Sequence, residues 1–141
     1  MVVLDQADFR AMKGGDLPRY VDKPWGGELW FAHTDLYAGK LLHVKAGRQL
    51  SVQYHVTKDE SSYLLSGRIV LRRGPSAEAL VSTELAPGDA WRNEPGVVHS
   101  VEALEDSEIV EVSTPELDDV VRLADDYGRV EDPADDVTRL R

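Results

Sequence analysis

"LSVQYHVTKDESSYLLSGRIVL" (Leu50–Leu71) is the stretch on which the fold turns. Polar and apolar residues alternate, break at a polar turn over Thr57–Glu60, resume, and close on Ser66-Gly67. The pattern predicts two strands, roughly Leu50–His55 and Ser62–Leu65. Residues two apart in a strand share a face, so Gln53 and His55 point the same way, with Ser51 beside them. Glu60 follows the turn and can fold back toward that face. Far along the chain, His99 stands three residues after a Pro-Gly turn, and a barrel can bring it to the same interior. An amide, two imidazoles and a carboxylate form a mixed nitrogen–oxygen metal site, suited to Zn, Mn, Fe, Co or Ni. A half-buried strand with polar alternation would also explain any one of these residues. The joint spacing of all four favours the metal. His33 and His43 lack such partners and read as structural residues.

Outward from this segment the chain continues as short strands punctuated by glycine and proline. A Pro-Trp-Gly-Gly turn within Lys23–Ala32 leads into an apolar strand, and Lys40–Lys45 forms another. Ile69–Leu71 precedes a hairpin loop over Arg72–Ala79, and Ser107–Thr114 alternates at period two. Strands at roughly 8–12-residue spacing point to an all-β sandwich or barrel. After Pro115 the positions of Leu117, Val120, Val121 and Leu123 predict a short C-terminal helix packed on the barrel. The expected layout is an N-terminal arm or edge strand over 1–22, one domain over 23–129, and an acidic tail over 130–141. The paired aspartates near the C-terminus read as a solvated face.

The 141 residues suffice for one domain with a sizeable core. Lys and Arg number 16 and Asp and Glu 26, for a formal charge of −10. That balance argues against nucleic acid, whose phosphates need clustered cations. The chain has no cysteine, which excludes disulfides and zinc–thiolate sites. No apolar run approaches the roughly 20 residues of a membrane helix. The expectation is a cytoplasmic protein without a membrane partner.

The spaced residues resemble the two cupin motifs. The first runs Gly47, Gln53, His55, Glu60, Gly67, and the second Gly88, Pro95-Gly96, His99, with Ala103 at the usual closing Asn. Gln53 stands where most cupins carry their first histidine. That replacement is familiar in phosphomannose isomerases, and "KPWG" and "DDVVRLADDYGR" resemble the flanks of the type II members. The resemblance covers roughly Lys23–Arg129. It implies a single cupin barrel (a double-stranded β-helix, or jelly-roll) that holds one divalent metal, zinc first among the candidates, on Gln53, His55, Glu60 and His99. By the same resemblance Lys58, Glu111 and Arg122 are candidate catalytic residues. Arg129 is a candidate anion contact, and Tyr63 and Trp91, with Tyr54 and Trp30, are candidate sugar-stacking aromatics. A phosphate would need Arg48, Lys58, Arg92 and Arg129 to converge.

The implied activity is metal-assisted aldose–ketose isomerisation of a sugar or sugar phosphate. Two other functions fit the same fold: a non-haem iron dioxygenase using His55, Glu60 and His99, and a non-catalytic sugar-binding cupin. The expected partners are a small-molecule substrate and a second copy of the chain in a homodimer.

Overall fold

The computed structural model describes residues 17–130, and most of the expected N-terminal arm (1–22) and acidic tail (130–141) lie outside the described residues. Within the described residues there are eleven strands: β1 (Arg19–Lys23), β2 (Gly26–His33), β3 (Ala38–Val44), β4 (Val52–Tyr54), β5 (Glu60–Ser66), β6 (Ile69–Gly74), β7 (Val81–Leu85), β8 (Ala90–Asn93), β9 (Val98–Ala103), β10 (Ser107–Ser113) and β11 (Val121–Ala124). They form two antiparallel sheets, ordered β1-β2-β3-β10-β5-β8 and β11-β4-β9-β6-β7. No helix among the described residues is long and apolar enough to cross a membrane.

Period-two alternation divides the interior into an apolar half and a polar half. Cross-strand neighbours share a face. One row joins Leu42 on β3 to Ile109 on β10, and Ile109 to Leu64 on β5. Two positions away a second row joins Lys40 to Glu111, Glu111 to Ser62, and Ser62 to Trp91 on β8. The first row belongs to a core that also holds Trp25, Val44, Ile69, Leu71, Val101 and Ala103. Each fully buried large side chain there contributes about 1.5–3 kcal/mol. The second row lines a site.

The structure corrects one expectation. The segment after Pro115 is not a helix. Residues 115–120 make tight backbone turns, Leu117 N–H to Pro115 O (2.8 Å) and Asp119 N–H to Glu116 O (3.3 Å), and the chain then extends as β11. β11 covers the edge of β4, pairing Val121 with Tyr54 and Arg122 with Gln53. An open strand edge and two adjacent β-branched valines outweigh the weak helical spacing. Arg19–Lys23 pair with Trp30–Gly26 as the edge strand of the larger sheet.

Gly67 closes the β5–β6 turn at φ +90°, and a methyl group there would meet Ser107 Oγ and the Asp106 carbonyl. Gly88, at φ +100°, has open space around it. Gly67→Ala should lower the unfolding free energy by about 2–3 kcal/mol and Gly88→Ala by less, read from urea unfolding midpoints at unchanged slope.

Candidate metal centre

His55 follows β4, Glu60 opens β5 and His99 lies on β9, all deeply buried at 3%, 5% and 6% exposure. Their ligand-capable atoms lie within 4.8 Å of one another. The sheet register places Gln53 directly across from His99. Both imidazoles are oriented from behind. His55 Nδ1 donates to the Asp119 carbonyl (2.5 Å) and His99 Nδ1 to the Val97 carbonyl (2.9 Å). A carbonyl only accepts, so Nδ1 of each ring carries a proton and Nε2 of each faces the site. Burial pushes the His99 imidazole below its ordinary pKa, against the pull of Glu60, and favours the neutral ligand form. His55 Nε2 approaches Glu60 Oε1 to 2.6 Å without hydrogen-bond alignment. A contact that short needs a proton or a metal ion shared between the two atoms.

A chain of alternating charge runs out from these ligands. Glu28 meets Lys40 (3.4 Å), Lys40 meets Glu111 (3.9 Å), Glu111 meets Lys58 (3.5 Å) and Lys58 meets Glu60 (3.6 Å). All five side chains are buried. Burial opposes ionisation of Glu60, but His55 and Lys58 outweigh it and hold the carboxyl well below its usual range. Burial, reinforced by the Glu60 charge, pushes Glu111 up to about 7. Burial works against the Lys58 ammonium, yet Glu111, Glu60 and Glu28 together raise its pKa. Three carboxylates face two ammoniums. Buried uncompensated charge is costly, so a divalent cation beside Glu60 fits this donor set in both charge and ligand type. Gln53, His55, Glu60 and His99 are the residues that would hold it.

The sequence matches no protein-family model and no curated protein sequence. Solved structures do share its fold. KdgF from Halomonas sp. superposes with a TM-score of 0.62 at 22% identity, covering 71% of this chain and 88% of that one. An RmlC-like cupin from Shewanella frigidimarina superposes with a TM-score of 0.63 at 16% identity, covering 73% and 88%. The chain has the cupin fold. Oxalate decarboxylase from Bacillus subtilis shares it too, with a TM-score of 0.65 at 15% identity; the match covers 77% of this chain and 30% of that longer one.

The cupin barrel gathers most of the residues singled out in the sequence. A cavity of about 230 Å³ is lined by Gln53, His55, Lys58, Glu60, Glu111, Arg122 and Arg129, and by Trp30. Gln53 Oε1 also accepts from Ser51 Oγ (2.5 Å). Trp91 lies in the core and lines a smaller void of about 30 Å³ shared with Gln53, Glu60, His99 and Glu111. Tyr63 is not brought to the site: it projects from the outer face of β5, 44% exposed, between inward-facing Ser62 and Leu64. Arg48 and Arg92 do not join Lys58 and Arg129 at the cavity, a convergence that a phosphate would need. Arg92 pairs with Asp59 on the surface (2.6 and 2.9 Å), and Arg48 bonds the Pro24 carbonyl (3.2 Å). His33 and His43 bond Pro115 O (3.3 Å) and Glu108 (2.8 Å).

Three site residues were missed. Lys40 and Glu28 had a signal, since Lys40 shares the period-two face of Leu42 and Val44. Asp119, read as part of a solvated acidic face, is buried. Its carboxylate accepts from the amides of Val56 (2.9 Å), Thr57 (2.6 Å) and Lys58 (2.9 Å). Burial opposes its charge, but these three donors hold the carboxyl below its usual range. Asp119 thus clamps the turn between His55 and Lys58 while its carbonyl orients His55.

Two outcomes follow. Purified protein should carry one divalent ion per chain by elemental analysis, and excess metal should raise the melting temperature by on the order of 10 °C. His99→Ala and Glu60→Gln should abolish both effects. Asp119→Ala should lower metal-free stability by about 3 kcal/mol in urea unfolding and weaken metal binding at least tenfold in titration, roughly.

Proposed function

We propose that this cupin is a metal-dependent enzyme that moves a proton between adjacent carbons of a hydroxy-carbonyl compound, as in aldose–ketose isomerisation of a sugar or sugar derivative. The observation that carries this reading is the buried Lys58–Glu111 pair, which shares a cavity with His55 and Glu60 of the His55–Glu60–His99 cluster. Isomerisation needs a base, a positive charge for the developing enediolate, and a polarised oxygen. A divalent ion at the cluster would supply the polarisation.

Glu111 is the proposed base. It would take the proton from the hydroxyl-bearing carbon next to the carbonyl and return it to the carbonyl carbon. The hydroxyl proton passes between the two oxygens, so no atom is gained or lost. Lys58 would stabilise the charge that builds on those oxygens, and its buried setting strengthens that effect. Lys40 holds Glu111 from the other side. Arg122 lines the cavity and is the proposed substrate anchor. A pair of histidines and one carboxylate also suits iron-dependent oxygenation. The Lys58–Glu111 pair, well placed for proton transfer, favours isomerisation.

Metal-loaded protein incubated in D2O with a panel of aldoses, ketoses, sugar phosphates and sugar acids should isomerise at least one member. It should also exchange deuterium at the carbon beside the carbonyl, seen by proton NMR. Glu111→Gln should slow the reaction by roughly 10²–10⁴-fold with metal content retained. A panel left unchanged and unexchanged by metal-loaded protein contradicts the proposal.

A further inference from the structure

The void on the core side of the metal ligands holds a polar group that the proposed chemistry leaves unused. Strand β8 alternates outward and inward, so Trp91 and Asn93 both turn into the barrel. Trp91 joins the apolar core. Asn93 does not. It is 2% exposed and lines the void of about 30 Å³ with Ser62, Gln53, Glu60, His99 and Glu111. Its amide oxygen Oδ1 is buried and has no hydrogen-bond partner among the described residues. A buried acceptor left unpaired destabilises a fold, and a leucine of similar shape would fill this place without that cost.

The sheet register identifies what Asn93 faces. It is the direct cross-strand neighbour of Glu60, and Ser62 on the same face is that of Trp91 and Glu111. Side chains so placed start about 4.5–5.5 Å apart at Cβ. The Asn93 amide oxygen and the oxygens of an ionised Glu60 all accept, so they cannot bond each other. One small molecule with two donor hydrogens satisfies both. Water is the smallest such molecule, and the void has room for it; a halide ion or a diatomic gas has no hydrogen to donate. Lys58 already meets Glu60 from the cavity (3.6 Å). The void reaches Glu60 from the other side, among the core residues Leu42, Trp91, Val101 and Ile109.

We propose that Asn93 and Glu60 bind one interior water, which donates one hydrogen to Asn93 Oδ1 and the other to the Glu60 carboxylate. The Ser62 hydroxyl donates to the water oxygen and completes the three bonds that a buried water usually makes. Asn93 is then a positioning residue. Through the water it fixes, from the core side, the carboxylate that would hold the ion, much as the Asp119 carbonyl fixes His55. The site does not rest on the isomerase reading, because no substrate takes part in it.

The first test is a crystal structure of the full-length protein at about 1.2 Å, fine enough to assign the amide nitrogen and oxygen of Asn93. One ordered water should lie at hydrogen-bond distance, about 2.6–3.2 Å, from Asn93 Oδ1 and a Glu60 oxygen. A void without density, a metal ion coordinated by Asn93, or an Asn93 amide nitrogen bonded straight to Glu60 overturns the site. Two variants then separate positioning from packing, read by calorimetric titration with zinc. Asn93→Leu fills the void with an apolar group and should expel the water and weaken zinc binding about tenfold. Asn93→Ser keeps a polar oxygen and leaves room, so it should keep the water and bind zinc nearly as the parent does. Packing alone predicts the opposite order, with leucine tolerated and serine damaging; that order, or equal affinity in all three proteins, overturns the positioning role. If Asn93→Leu does not fold, the parent crystal and Asn93→Ser still decide. A protein that holds the water but binds no zinc overturns the metal centre and the positioning role with it, and leaves the water site standing.

Discussion

A row of alternating buried charges, Glu28–Lys40–Glu111–Lys58–Glu60, is the constraint around which this barrel is organised. Each member is buried in the barrel. An unpaired charge in such a place costs several kcal/mol. The row is tolerable because each interior member has an opposite charge on both sides. It ends on a carboxylate whose further neighbours are the two imidazoles, and there a cation would complete the pattern.

The two sheets contribute different parts. The larger one supplies the charges, through Glu28 on β2, Lys40 on β3, Glu111 on β10 and Glu60 on β5. The smaller one supplies Gln53 and His99 on adjacent strands, with Arg122 next to Gln53 on β11. His55 and Lys58 lie between the sheets, on the turn that Asp119 clamps. The apolar row Leu42–Ile109–Leu64 lies two positions deeper on the same strands. Strand register therefore couples the packing of the core to the placement of the charges. A slip of one residue on β10 would turn both Ile109 and Glu111 outward.

The sequence was most legible where spacing and periodicity agreed. The alternation of Leu50–Leu71 and the separations among Gln53, His55, Glu60 and His99 sufficed for the barrel and for the residues gathered at its centre. Lys40 and Glu28 were less visible because a charged residue in a strand normally faces solvent. Only the partners on neighbouring strands reveal that these two face inward. Asp119 was hidden by its neighbours, since acidic runs are usually solvated and nothing local marks the one carboxylate that meets three amides 61 to 63 positions earlier. The segment after Pro115 misled in a different way. Leu117, Val120, Val121 and Leu123 suit a helix taken alone, but the unpaired edge of β4 takes Val121–Ala124 as a strand. Tyr63 shows the limit of residue type without register, for the phase that turns Ser62 and Leu64 inward turns Tyr63 out.

Anomalous diffraction from crystals grown with a divalent transition metal, collected on both sides of that metal's absorption edge, addresses the centre most directly. One strong peak should lie within coordination distance, about 2.0–2.3 Å, of His55 Nε2, His99 Nε2 and a Glu60 oxygen. No peak at full metal loading, or a peak only at surface carboxylates with His55 and Glu60 still in contact, would contradict a metal centre in this barrel.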